Sequence, residues 1–99
     1  MGKMLVFTNA VEGRDDEFNE WYDHVHLGEV VALPGFVSAT RHELADAQMF
    51  PEQSHRYLAI YEYKGDAADA LAALSAGAAT MNMSDSLAGD AKLVLFEDR

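Results

Sequence analysis

Cysteine is absent from this chain, which removes disulfides, thiol nucleophiles and iron–sulfur clusters and leaves a composition that a reducing compartment permits. Positive charge is scarce. Seven Lys and Arg against 17 Asp and Glu give a net charge of −10, which opposes binding to nucleic acid or to an anionic membrane, since both need basic patches. No apolar run approaches the roughly 18 residues of a membrane span. The opening MGKMLVFTNA lacks the long apolar region and cleavage site of a signal peptide, so a cytoplasmic location is expected. Gly13 and Gly35 stand alone rather than in a glycine-rich loop after a strand, which argues against nucleotide phosphates. An HExxH pair is missing too. His24 and His26 resemble a metal pair, but residues two apart on a helix point about 200° apart and cannot share an ion. No metal and no cofactor are therefore expected, and His24 is placed on the surface near Glu20.

What is present fits one globular domain spanning 1–99, with 49% apolar residues. Lys3 to Asn9 is an apolar run bounded by the turn-like Glu12-Gly13 and reads as a strand. Arg14-Asp15-Asp16-Glu17 opens a helix, with Asp15 as its N-cap, and Pro34-Gly35 closes it. Phe36 to Leu44 alternates, which puts Phe36, Ser38, Thr40 and His42 on one face and Val37, Ala39, Arg41 and Glu43 on the other. Ala45 to Ser54 is a polar loop around Pro51. His55 to Tyr63 is a second alternating strand whose Tyr57, Tyr61 and Tyr63 form an aromatic wall. Lys64-Gly65-Asp66 is a turn with an N-cap before an alanine-rich helix, Thr80 to Gly89 is irregular, and Ala91 to Glu97 is the last strand. The order β-α-β-β-α-β is the ferredoxin-like pattern: an α+β fold with a four-stranded antiparallel sheet and two helices on one face. Strands apolar on both sides leave the other face to be covered, and a homodimer with sheets face to face is the simplest cover.

The stretch Glu17 to Phe36 carries the chemistry. At about 100° per residue, Phe18, Trp21, Tyr22, Val25, Glu29, Ala32 and Leu33 fall on one side, with His26 on the shoulder beside Tyr22. A carboxylate in an apolar stripe costs several kcal/mol unless it is paired. The helical spacings bring Tyr22, His26 and Glu29 together, and Glu29 would orient the imidazole and raise its pKa. Gly28 weakens the helix by about 1 kcal/mol relative to Ala, so a kink is expected there.

The segment EFNEWYDHVHLGEVVALPGF, the strand HRYLAIYEY and the helix opening GDAADALAAL together resemble the EthD-like members of the dimeric α/β-barrel superfamily. The most specific part is Trp21, Tyr22, His26, Glu29, Val30, Pro34, Gly35 and Phe36. The resemblance implies a ferredoxin-like protomer, a dimer joined through its sheets, and a pocket in each subunit between helices and sheet. Relatives in that superfamily span cyclases, isomerases, lyases, small monooxygenases and haem-degrading enzymes, so the site must choose among them. The first expectation is a cofactor-free lyase, isomerase or cyclase acting on a small apolar, aromatic or carbonyl-bearing compound. His26 would be the general base or acid, with Tyr22, Glu29 and His42 in the same machinery, and Trp21, Phe36, Tyr57 and Tyr61 would line the substrate. The alternatives are a small oxygenase or haem-linked enzyme, to which the acidic surface is a poor match for haem propionates, and a non-catalytic dimeric ligand-binding protein.

Overall fold

A computed structural model describes residues 1–99 and places four strands in one antiparallel sheet. Strands β1 (Gly2–Thr8), β2 (Phe36–Glu43), β3 (Tyr57–Tyr63) and β4 (Lys92–Glu97) run in the order β2-β3-β1-β4. The first helical segment is α1 (Asp15–Trp21), a π-helical turn (Tyr22–His26) and α2 (Leu27–Val31); α3 (Ala67–Ala78) follows β3. This is the ferredoxin-like α+β arrangement expected from the order of elements, with each strand within two residues of its expected ends.

The sheet is sided by its pleat. Tyr57, Ala59, Tyr61 and Tyr63 of β3 are buried beneath the helices, together with Met4 and Thr8 of β1. Phe18, Tyr22 and Val30 descend onto them from the helical segment, and Ala70 from α3. The tyrosine hydroxyls find partners inside this layer, as buried phenols require. Tyr61 donates to the Tyr22 hydroxyl at 3.1 Å, Tyr57 to Asp15 Oδ2 at 2.7 Å, and Tyr63 to the Phe96 carbonyl at 2.9 Å. The opposite face carries Leu5, Phe7, Leu58, Ile60 and Val94, all partly exposed, and Phe96, 58% exposed.

Two local details depart from the sequence expectation. Arg14, not Asp15, occupies the N-cap of α1, and its guanidinium pairs with Glu17 and with Asp85. Asp15 is instead the first helical residue, where its carboxylate is favoured by the helix dipole and serves Tyr57. Asp66 does cap α3, accepting the Asp69 amide at 2.9 Å. The second departure has larger consequences. A register shift between Phe36 and Ser38 sets Phe36 opposite Tyr63 but Ala39 opposite Tyr61 and Arg41 opposite Ala59. Val37 is the extra residue of a β-bulge, so simple alternation fails across it. Phe36 therefore shares the helix-facing side with Ala39 and Arg41, and His42 faces the other way, contrary to the expectation that His42 and Phe36 share a face.

Candidate functional site

The phase of the first helix changes at Tyr22–His26, where the Leu27 amide reaches back to the Tyr22 carbonyl, an i to i+5 bond. The kink expected at Gly28 thus lies earlier and is a π turn, a form often found at functional sites. It swings His26 under the indole of Trp21, stacked at 4.7 Å between centroids and 23° between planes, and against the edge of Tyr22 at 4.9 Å. Glu29 Oε1 lies 3.9 Å from His26 Nδ1, an ionic distance outside hydrogen-bond range. Both atoms are buried without a hydrogen-bond partner. Glu29 is held by its other oxygen, which accepts the Asn82 amide at 2.8 Å, while the Asn82 carbonyl accepts from Trp21 Nε1 at 2.6 Å. The loop after α3 is thereby clipped across the outside of the cluster.

Burial dominates the titration of His26. It lowers the imidazole pKa, the charge of Arg41 pushes the same way, and Glu29 opposes them. The expected elevation by Glu29 is corrected on this ground: a carboxylate 3.9 Å away, without a hydrogen bond, does not offset desolvation. A linked stability effect follows. The unfolded chain binds a proton at His26 near pH 6.5 and the folded chain binds it only at lower pH, so stability falls as pH drops below about 6.5. His26→Gln should flatten that part of the stability curve in urea titrations between pH 5 and 7. Because Trp21 is the single tryptophan and stacks on this ring, its fluorescence should report the protonation directly.

Arg41 was not among the residues singled out from the sequence, and it is central here. Its side chain is 11% exposed and lies over Tyr22 with 4.3 Å from the guanidinium carbon to the ring centroid; Phe18 and Tyr57 follow at 5.4 Å each. Nη1 donates to Asn19 Oδ1 at 2.9 Å and to Asp23 Oδ1 at 3.0 Å, whereas Nε and Nη2 are buried without a partner. Burial also raises the pKa of Tyr22 and, further, of Tyr61, so their shared hydroxyl pair stays protonated. A cation with two unpartnered donor nitrogens, seated on aromatic rings beside two phenols, suits an oxyanion.

The structure thus brings Trp21, Tyr22, His26 and Glu29 together, with Tyr61 bonded to Tyr22 and Tyr57 bonded to Asp15 and Asn19. Phe36 packs further along the sheet against Tyr61 and Tyr63, at 6.3 and 6.4 Å. His42 is exposed, bonds Thr40 Oγ1 at 2.9 Å, and stands apart from His26 on the other sheet face. His24 is a surface residue 3.6 Å from Glu20, as expected. No cluster of three or more His, Cys, Asp or Glu side chains is placed to hold a metal ion. No helix is long and apolar enough to cross a membrane. A recess of about 390 Å³ at Asn19, Asp23, Arg41, His42, Glu43 and Tyr57 opens beside the Arg41 cage.

No family model and no curated protein sequence matches the chain. Solved structures do match it over essentially its whole length. The haem-degrader MhuD from Mycobacterium tuberculosis, with two haems bound in its active site, is 18% identical, with a TM-score of 0.69 over 99% of this chain and 95% of that one. A provisionally named antibiotic biosynthesis monooxygenase from Nitrosomonas europaea is 18% identical, with a TM-score of 0.62 over 99% and 98%. An ethyl tert-butyl ether degradation (EthD) family protein from Bacillus halodurans is 14% identical, with a TM-score of 0.63 over 100% of both chains. The fold is therefore that of EthD-like and monooxygenase chains with a ferredoxin-like sheet. The expectation of a cofactor-free lyase, isomerase or cyclase is overturned by these likenesses, which run to a haem-degrader and to a monooxygenase.

Proposed function

We propose that this protein is a small monooxygenase acting on a planar, hydroxylated ring compound whose oxygen is held by Arg41. The observation that carries the reading is the pair of buried Arg41 nitrogens, Nε and Nη2, without a partner inside a cage of Phe18, Tyr22 and Tyr57. Such a cation stabilises the enolate or phenolate of a substrate, which is the electron-rich form that gives electrons to dioxygen. For an activated ring methylene the balance is CH₂ + O₂ → C=O + H₂O. All four electrons come from the substrate carbon, one oxygen atom enters the carbonyl and the other leaves as water. His26, kept neutral by burial, would accept the proton, and Glu29 would steady it; Tyr57, which lines the recess beside Arg41, would wall the ring.

A haem-linked variant of this reading fits the residues less well. An axial imidazole must present a nitrogen to a porphyrin-sized space. His26 is clamped between Trp21 and Tyr22, and its Nδ1 is buried toward the Glu29 carboxylate rather than presented to an open space. The deciding experiment measures oxygen uptake with a hydroxylated anthrone or naphthol, alongside a haem titration. The expected result is stoichiometric oxygen consumption with quinone formation and a Soret band unchanged from free haem. Turnover only after haem binding, or none with any electron-rich ring compound, would overturn the reading.

The proposal includes a homodimer through the open sheet face, on which Leu5, Ile60, Val94 and Phe96 stand unpartnered. It also includes a cytoplasmic site of action, in keeping with the cysteine-free chain.

A further inference from the structure

A second cavity, of about 480 Å³, lies at the end of the sheet, floored by the open face and meeting the recess beside Arg41 at His42, Glu43 and Tyr57 without including Arg41. Its volume falls within the range of about 300–1,000 Å³ that takes small organic ligands. The registers of the three strand pairs build its floor. His42 pairs with Leu58, Leu58 with Phe7, and Phe7 with Lys92, which sets these four side chains in one row across β2, β3, β1 and β4. The row is apolar at its centre and basic or donor-bearing at its ends, and spans about 14 Å at three interstrand steps.

The rim is fixed by hydrogen bonds. Asn9 Nδ2 donates to the Ser54 carbonyl and to Asp90 Oδ2, both at 2.8 Å, and Asn9 Oδ1 accepts the Arg56 amide at 2.9 Å. His55 Nε2 donates to the Asp90 carbonyl at 2.7 Å and Nδ1 meets Ser54 Oγ at 3.0 Å, so its ring is locked beside Phe7 at 6.0 Å.

Charge is distributed unevenly here. In a chain with only seven Lys and Arg against 17 acidic residues, Arg56 and Lys92 line this one cavity along with two of the four histidines. Glu43 is the one acidic residue in the lining, and it lies 3.6 Å from Arg56, which also approaches Asp15 at 3.8 Å. Lys92 takes part in none of the ion pairs of the chain. An apolar floor with an uncompensated ammonium at one end recognises a flat hydrophobic group bearing an anion.

We propose that this cavity is a binding site for a small amphipathic carboxylate, its rings on Leu58 and Phe7 and its carboxylate at Lys92. The site touches the Arg41 cage only at the edge of Tyr57 and does not include Arg41, and a second copy seated on Leu5, Ile60 and Val94 would border it. The test is calorimetry and amide NMR on the full chain with 2-naphthoate, and with 2-naphthalenemethanol as its neutral counterpart. The expected result is that the carboxylate binds at least about tenfold more tightly than the alcohol and shifts amides around Phe7, Leu58 and Lys92. Lys92→Glu, an exposed change, should remove that preference, and Arg41→Met should leave it intact. Equal binding of acid and alcohol, no binding of either, an unaffected Lys92→Glu variant, loss of the preference in Arg41→Met, or shifts centred on Trp21 and Arg41 would each overturn the proposal.

Discussion

Replacing Arg41 with methionine is expected to lower kcat/KM for a hydroxylated ring substrate by about 10²–10³-fold, the usual cost of deleting one donor that faces a developing oxyanion. The same change should lower folding stability by only about 1–2 kcal/mol, because Asn19 and the half-exposed Asp23 lose a charged donor while packing on the rings is kept. Methionine keeps the contact with Tyr22, Phe18 and Tyr57, and the partners it abandons are Asn19 and the half-exposed Asp23. The separation of the two readouts is what gives the test its force. If Arg41 served packing alone, methionine would replace it with turnover intact. If it holds the substrate oxygen, a substrate lacking that oxygen should react equally with both proteins.

The largest expected loss of stability is at Phe18. Its ring is fully buried and meets Trp21 at 6.0 Å, Tyr22 at 5.6 Å and Tyr57 at 5.4 Å, with the Arg41 guanidinium on its face at 5.4 Å. Phe18→Ala removes the transfer energy of the ring and leaves a void that the tyrosine wall cannot collapse into, since those side chains are tied by hydroxyl bonds. A cost of about 3–5 kcal/mol follows, or roughly 15 °C or more in Tm for a domain of this size. Leu71→Ala on α3, where the side chain is 44% exposed, should cost less than about 1 kcal/mol in the same denaturation series. Comparable losses at both positions would mean that the core is not organised around the Phe18 layer.

The order of elements, the ends of the strands and the one-sided tyrosine wall were legible in the sequence, because period 2 and the Gly, Pro and Asp punctuation are local signals. Tyr22, His26 and Glu29 were legible as neighbours for the same reason: their spacing of three and four residues acts within one helix. Asn82 was not, since its contacts with Trp21 and Glu29 bridge chain separations of 61 and 53 residues with no motif to mark them. The pKa direction of His26 was also beyond sequence. Pairing with Glu29 could be read from spacing, but the degree of burial that outweighs it is a property of the packed whole.

Two backbone irregularities decided the rest. The π turn at Tyr22–His26 adds a residue to one helical turn, and the bulge at Val37 adds a residue to one strand. Each rotates everything beyond it, so a count of residues assigns the wrong face from that point on. The sequence by itself determined the fold class and which residues are aromatic, acidic or donors. Only the tertiary structure decided that Arg41, rather than His42, turns inward beneath the helices. The physical reason is that strand pairing with β3 selects the register in which Phe36 and Ala39 both pack under the helical layer, and the extra residue must then be absorbed at Val37.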